Sequence, residues 1–146
     1  MSSPTTRGGC RWYEIRNIAS GTPVVFQQGT YAPDGAWRWM GTTCQDKAGN
    51  MGLAFSYSSP TISPGMAYTG RLAGDGAGLM TQGETVSQAG TGYQTVNRWG
   101  DYASMNIDPN DGKCAWCLAS WKKKSVRVCT CVFYERQGVG NQTRES

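Results

Sequence analysis

Three arginines are the side chains of this chain that are best suited to holding a ligand. Arg38, Arg71 and Arg98 stand in comparable local contexts, and Asp101 and Tyr102 follow the third arginine closely. A guanidinium group is planar and pairs with a carboxylate through two parallel hydrogen bonds. The sequence therefore predicts that these five residues contact a carbohydrate or another polar ligand.

A structural role is the competing interpretation of the same arginines. Arg38 and Arg98 each precede a tryptophan, and such arginines often stack on aromatic rings or pair with a nearby Asp. Trp39 and Trp99 are expected to pack in the core. Trp37 lies beside a predicted loop and therefore joins the candidate ligand contacts.

The chain has no histidine, which excludes Ser-His-Asp triads, Cys-His pairs and histidine metal ligands. No catalytic residue, metal ion or cofactor is predicted. The six cysteines leave three states open, namely disulfides, free thiols and a zinc site. The zinc hypothesis rests on Cys114 and Cys117 in a CxxC pair and on Cys129 and Cys131 in a CxC pair, since residues two apart on a strand face the same side.

The composition indicates one β-rich domain. The chain of 146 residues has 20 glycines, 6 tryptophans and 7 tyrosines, whereas charged residues make up only 16%. Short strands and tight turns suit this composition better than long helices or a disordered chain. The net charge of +4 is partly local to Lys122, Lys123 and Lys124, so a broad nucleic-acid-binding face is not expected. No membrane span is predicted, because Gly, Ser and Pro interrupt the long uncharged stretch at 48–70.

Alternating residues and turn signals predict where the strands and loops lie. Loops are expected at 29–36, at 58–65, where two prolines occur, and at 73–83, which is rich in glycine. Residues 1–9 are expected to be a flexible lead-in, 10–134 the folded module and 135–146 a disordered tail. The predicted strands are 10–17, 24–28, 39–45, 51–57, 66–72, 84–88, 102–107, 113–118 and 125–134.

Two segments of the chain repeat each other. Arg38-Trp39 and Arg98-Trp99 are 60 positions apart (98 minus 38), and each pair precedes a strand, an Asp-headed turn and a second strand. This repeat predicts an all-β, antiparallel fold of propeller-like sheets, with about two blades of an incomplete propeller. A β-sandwich or barrel is the alternative. Open sheet edges would then favour self-association.

A set of short segments between about residue 10 and 121 forms a recognisable pattern, namely Arg11-Trp12-Tyr13-Glu14, residues 27–34, Arg38-Trp39-Met40-Gly41, residues 46–50, Tyr68-Thr69-Gly70-Arg71, Gln82-Gly83-Glu84, residues 98–102 and Asp108-Pro109. With these residues the stretch resembles a segment of the sialidase-like β-propeller domains of secreted bacterial multidomain proteins. The resemblance implies an extracellular location and contact with a glycan or a cell-surface ligand. The expected function is that of a non-catalytic extracellular β module. A remnant of a sialidase-like glycoside hydrolase is one alternative, for which Tyr68, Tyr102, Glu84 and Asp101 are candidates, and a cysteine-ligated zinc module is another.

Overall fold

The described part of the protein is built from antiparallel strands. The computed structural model describes residues 7–93, 95, 99, 102–109, 114–121 and 126–133, the last two ranges as backbone only. No helix occurs among these residues, which confirms the predicted all-β, antiparallel class. The strands are β1 (Cys10–Arg16), β2 (Val24–Tyr31), β3 (Trp37–Gln45), β4 (Met51–Ser59), β5 (Ile62–Arg71), β6 (Thr85–Gln88), β7 (Ala103–Ile107), β8 (Cys114–Trp121) and β9 (Val126–Phe133).

The strands form three sheets of chain neighbours. Sheet A contains β1 and β2, sheet B contains β3 to β6 in chain order, and sheet C contains β7 to β9 in chain order. None of these sheets closes on itself within the described ranges. Nothing in the described ranges has the length and apolar character of a membrane-crossing helix.

Sheet B is the middle layer, because its strand β4 is buried on both faces. Every residue from Met51 to Tyr57 is buried. One face of β4 packs against sheet A in a cluster that includes Trp12, Leu53 and Phe55. The other face contributes Ala54 to a cluster with Met105 of β7. The core therefore consists of two clusters of buried apolar side chains, one on each face of sheet B.

The turn between β3 and β4 follows from its sequence. The Asp46 carboxylate accepts hydrogen bonds from the backbone N–H groups of Ala48 at 2.8 Å and Asn50 at 2.9 Å. Gly49 has a φ of 89°, a conformation that glycine adopts without steric cost. The first predicted hairpin, with its turn at residues 46–50, is therefore confirmed.

The predicted loop at 58–65 was wrong. Strand β4 continues to Ser59 and β5 begins at Ile62, so the connection is a short turn at residues 60 and 61. Pro64 is accommodated within β5 because the pairing is irregular between Tyr57 and Ser59, at the place opposite this proline. A proline has no backbone N–H and fits a strand where no ladder hydrogen bond is needed.

The glycine-rich segment at 72–84 connects β5 to β6, where a long surface loop was predicted at 73–83. This segment also reaches sheet A. The Gly78 N–H donates to the side-chain oxygen of Gln27 at 3.3 Å. A Cβ at Gly29 would lie 2.8 Å from Nε1 of Trp12 and still closer to the carbonyl oxygen of Gly78. The loop and sheet A can therefore approach this closely only because residue 29 has no side chain.

Replacing Gly29 with Ala should destabilise the fold by about 1–3 kcal/mol, since the added methyl group must displace backbone and an indole ring. Gly21→Ala is the matched control, because a Cβ there meets no atom within 4 Å. Urea unfolding followed by tryptophan fluorescence measures both variants. Equal midpoints for the two variants would contradict the close packing of the loop on β2.

Candidate functional site

Arg38 is the most completely buried charged side chain among the described residues, with 1% of its surface exposed. It is the second residue of β3 and pairs across the sheet with Tyr57. Asp34, in the preceding turn, accepts hydrogen bonds from both terminal nitrogens at 2.8 and 2.9 Å. Glu84, just before β6, accepts from Nε at 2.7 Å and from a terminal nitrogen at 3.1 Å.

These contacts, together with a fifth hydrogen bond, give every N–H group of the Arg38 guanidinium a protein acceptor. The fifth hydrogen bond goes to the carbonyl oxygen of Ala36 at 3.3 Å. The rings of Tyr31 and Phe55 lie 5.4 and 5.8 Å from the guanidinium carbon. A guanidinium has five N–H donors. Because each of its nitrogens already binds a protein acceptor, the geometry favours a structural role for this arginine.

The pKa values of the groups around Arg38 reflect this pairing. The hydrogen bonds from Arg38, followed by the one from the backbone N–H of Ala36, lower the pKa of Asp34 to about 2. The hydrogen bonds to Asp34, against the effect of burial, raise the pKa of Arg38 above its ordinary range. Burial, followed by the nearby Glu84 carboxylate, raises the pKa of Tyr31. Asp34 and Arg38 are therefore both charged near neutral pH, whereas the Tyr31 side chain is a neutral phenol.

Arg71 is also buried, with 3% of its surface exposed, but it holds a loop rather than a carboxylate. One terminal nitrogen donates to the backbone carbonyls of Asp75 at 2.6 Å and Gly76 at 3.4 Å. Its Nε has no hydrogen-bond partner among the described residues. Arg71 thus fixes the start of the segment at 72–84 against the end of β5.

The structure does not bring Arg38 and Arg71 together. Their register partners on β4 are Tyr57 and Met51, which are six residues apart along the strand. Six residues of β-strand span about 20 Å. Their guanidinium groups are held by different partners, Arg38 by the carboxylates of Asp34 and Glu84 and Arg71 by backbone carbonyls of the loop after β5.

The other predicted ligand contacts are dispersed or lie outside the described residues. Tyr102 is 81% exposed, just before β7. Trp37 is half-buried at the start of β3. Arg98 and Asp101 lie outside the described residues. A role in ligand binding stays a prediction for all of these residues.

The two tryptophans of the sequence repeat contact each other. Trp39 and Trp99 meet edge to face, with 5.9 Å between ring centroids. The indole N–H of Trp99 donates to the hydroxyl of Ser56 at 2.9 Å. The two matching tryptophans of the repeat therefore meet on one face of sheet B, in the edge-to-face geometry that is common for aromatic pairs in protein interiors.

Sequence reasoning missed a half-open cleft between β1 and β3. The cleft has a volume of about 360 Å³. Pairing of β3 with β4 is interrupted between Trp39 and Thr42, and Met40 in this interruption has a φ of 53°. Such a conformation is costly for a residue other than glycine and often marks a ligand contact. Gly41, inside a predicted strand, was the only sequence signal for the irregularity. The lining residues are Gly9, Cys10, Arg11, Trp12, Tyr13, Trp39, Met40, Gly41, Thr43 and Leu53.

The chemistry of the cleft suits binding rather than catalysis. Its lining contains no carboxylate, and its charged member is Arg11, which lies 5.0 Å above the ring of Tyr13. Burial raises the pKa of the Cys10 thiol to about 11, so this thiol is protonated near neutral pH and is a poor nucleophile. The cleft can therefore supply ring stacking and neutral hydrogen bonds.

The described cysteine side chains are free thiols. Cys10 and Cys44 form no disulfide, and burial raises the pKa of the Cys44 thiol to about 11 as well. No group of three or more potential metal ligands occurs within the described ranges.

The backbone register of sheet C bears on the predicted four-cysteine zinc site. Cys117 pairs with Thr130, whereas Cys129 and Cys131 pair with Leu118 and Trp116. Successive strand positions alternate between faces, so position 117 belongs to the opposite face from positions 129 and 131. The cysteine-ligated zinc module stays a prediction.

No family model matches the chain, and neither the curated proteins nor the solved structures contain a match to it.

Replacing Glu84 with Ala should destabilise the protein by about 2–4 kcal/mol, because it leaves a buried guanidinium short of one carboxylate. Asp34→Ala should cost less, about 1–2 kcal/mol. The difference follows from exposure, since the side chain is 20% exposed for Glu84 and 58% exposed for Asp34. Chemical unfolding of both variants tests this order, and a larger loss for Asp34→Ala would contradict it.

The contribution of Asp34 to stability should depend on pH. Its pKa is lowered in the folded state to about 2, so the stabilisation is present above the ordinary value of 3.8 and is lost as pH falls towards 2. The gap in unfolding free energy between the wild type and Asp34→Asn should therefore narrow between about pH 5 and pH 2. A gap that stays constant over this range would show that the ion pair does not stabilise the fold.

Proposed function

We propose that the chain is a non-catalytic β module that binds a glycan or another surface ligand as part of an extracellular protein. The observation that supports this proposal best is the half-open cleft between β1 and β3, with a positive-φ methionine on its wall. Its volume of about 360 Å³ falls within the range of small-ligand sites. The extracellular location rests on the sequence resemblance alone.

A glycan suits the cleft because its lining combines aromatic rings with uncharged polar groups. Tyr13 is 51% exposed and is held beside Arg11 by the cation–π contact described above. Thr43 adds a hydroxyl, which already donates to the carbonyl oxygen of Gly52 at 2.6 Å and keeps acceptor capacity. A sugar ring presents one apolar face and a rim of hydroxyl groups, so both kinds of lining group can bind it.

The alternative of a hydrolase remnant has less support. Glycoside hydrolysis uses paired carboxylates, or a tyrosine nucleophile assisted by them. Glu84 is engaged in the ion pair with Arg38. Tyr68 is buried with Ala54 and Met105 on the face of sheet B that points away from sheet A. Tyr102 is exposed and does not line the cleft. These positions support the non-catalytic assignment.

Tyr13→Ala should weaken glycan binding at least about tenfold, because Tyr13 is a half-exposed aromatic residue of the cleft lining. The experiment applies the fluorescently labelled protein to an array of sialylated and neutral oligosaccharides and then titrates the best glycan. Tyr93→Ala is the matched control, since Tyr93 is 86% exposed and does not line the cleft. We expect the control to bind like the wild type.

Three other outcomes would count against this proposal. If Tyr102→Ala abolishes binding and Tyr13→Ala does not, the ligand site lies near Tyr102 instead of the cleft. Turnover of a fluorogenic sialoside by the wild type would favour the hydrolase alternative. One equivalent of zinc by elemental analysis, with unfolding by a chelator, would favour the cysteine-ligated zinc module.

A further inference from the structure

The hairpin of β1 and β2 carries an unusual concentration of exposed apolar side chains. Those that are about half exposed or more are, with their exposed fractions, Tyr13 (51%), Ile15 (48%), Ile18 (72%), Val24 (45%), Val25 (53%) and Phe26 (54%). Ile15 and Val25 are direct cross-strand partners, and the other four residues lie within three positions of one of them along the chain. An apolar patch of this kind on a folded domain usually marks an interaction surface.

Strand β2 also has an open edge next to this patch. Among the described residues, β2 pairs with β1 alone, and no other backbone group bonds to its second edge. The contact with Gly78 reaches Gln27, Gln28 and Gly29, so the most open part is the segment Val24–Phe26. Natural edge strands are usually protected by charged residues or proline. Strand β2 has neither, and its register with β1 shifts at Phe26, which has no cross-strand partner.

The charges of the hairpin indicate which partner fits this edge. Arg16 pairs with Glu14 at 2.7 Å and stacks on Phe26, with 3.3 Å between the guanidinium carbon and the ring centroid. Arg11 donates to Thr30 at 2.9 Å and to the side chain of Gln28. Because both arginines are engaged within the hairpin, the surface offers little to an anionic partner such as nucleic acid or an acidic membrane.

An uncharged strand with an apolar surround fits the edge best, and a second copy of β2 is such a strand. We propose that two copies of this chain associate through their β2 strands, antiparallel about a two-fold axis near Val25 and Phe26. The contact is isologous, so the same residues meet from both sides without like charges. The pairing would produce the continuous sheet β1-β2-β2-β1, with the same number of strands as sheet B.

Sedimentation velocity of the full chain over a wide concentration range tests the association. The wild type should approach twice the mass of the chain as its concentration rises. Val25→Lys should weaken the dimer at least about tenfold, because two lysines would then face each other near the axis. Val86→Lys is the matched control on edge strand β6, with an exposed fraction of 47% for Val86 against 53% for Val25, and it should dimerise like the wild type.

Hydrogen exchange gives a second measurement that needs no variant. The backbone amides of Val24–Phe26 should exchange more slowly at high protein concentration, while those of β6 should not change. A wild type that stays monomeric at all concentrations would overturn the proposal, as would equal effects of the two lysine substitutions. Either result leaves the proposed glycan site untouched, since that site is tested by Tyr13→Ala in the monomer.

Discussion

The burial of one guanidinium constrains how the turn after β2, strand β3 and the segment before β6 meet. Removing a charged side chain from water costs several kcal/mol unless it is paired and fully hydrogen-bonded. Arg38 meets this requirement with two carboxylates. Asp34 comes from the turn after β2, and Glu84 comes from the segment before β6. Its backbone N–H also donates to the carbonyl oxygen of Gly8 at 3.0 Å. The ion pairs and this backbone hydrogen bond thus join four parts of the chain at one point.

The same strand that carries Arg38 also shapes the cleft. Arg38 faces sheet A, so its neighbour Trp39 faces the other side of sheet B, where it meets Trp99. The two residues after Trp39 interrupt the ladder, and a Cβ at Gly41 would lie only 3.0 Å from the sulfur of Cys10. Strands β1 and β3 therefore approach closely at Gly41 and leave space beside that contact. The geometry of the cleft depends on the conformation of Met40 more than on any charged group.

Local signals in the sequence predicted the fold well and the site poorly. The hairpin turn at Asp46 depends on residues within five positions of each other, so its signal is visible in the sequence. Pro64 misled the prediction, because the irregular pairing that accommodates it forms only when β5 lies beside β4. The structural role of Arg38 depends in part on Glu84, which lies 46 positions away and therefore gives no local signal in the sequence. The cleft likewise depends on the approach of β1 to β3, for which no short-range pattern exists.

The burial of β4 on both faces has a consequence for folding. In a strand with one exposed face, a slip of one residue moves every apolar side chain into water, so alternation alone specifies the pairing. The run from Met51 to Tyr57 is buried throughout and lacks this protection. The correct alignment must instead be selected by features at the two ends of β3, the Asp46 turn and the ion pairs of Arg38. A misaligned hairpin would shift Arg38 relative to Glu84, so the ion pair between them favours the correct alignment of β3 with β4.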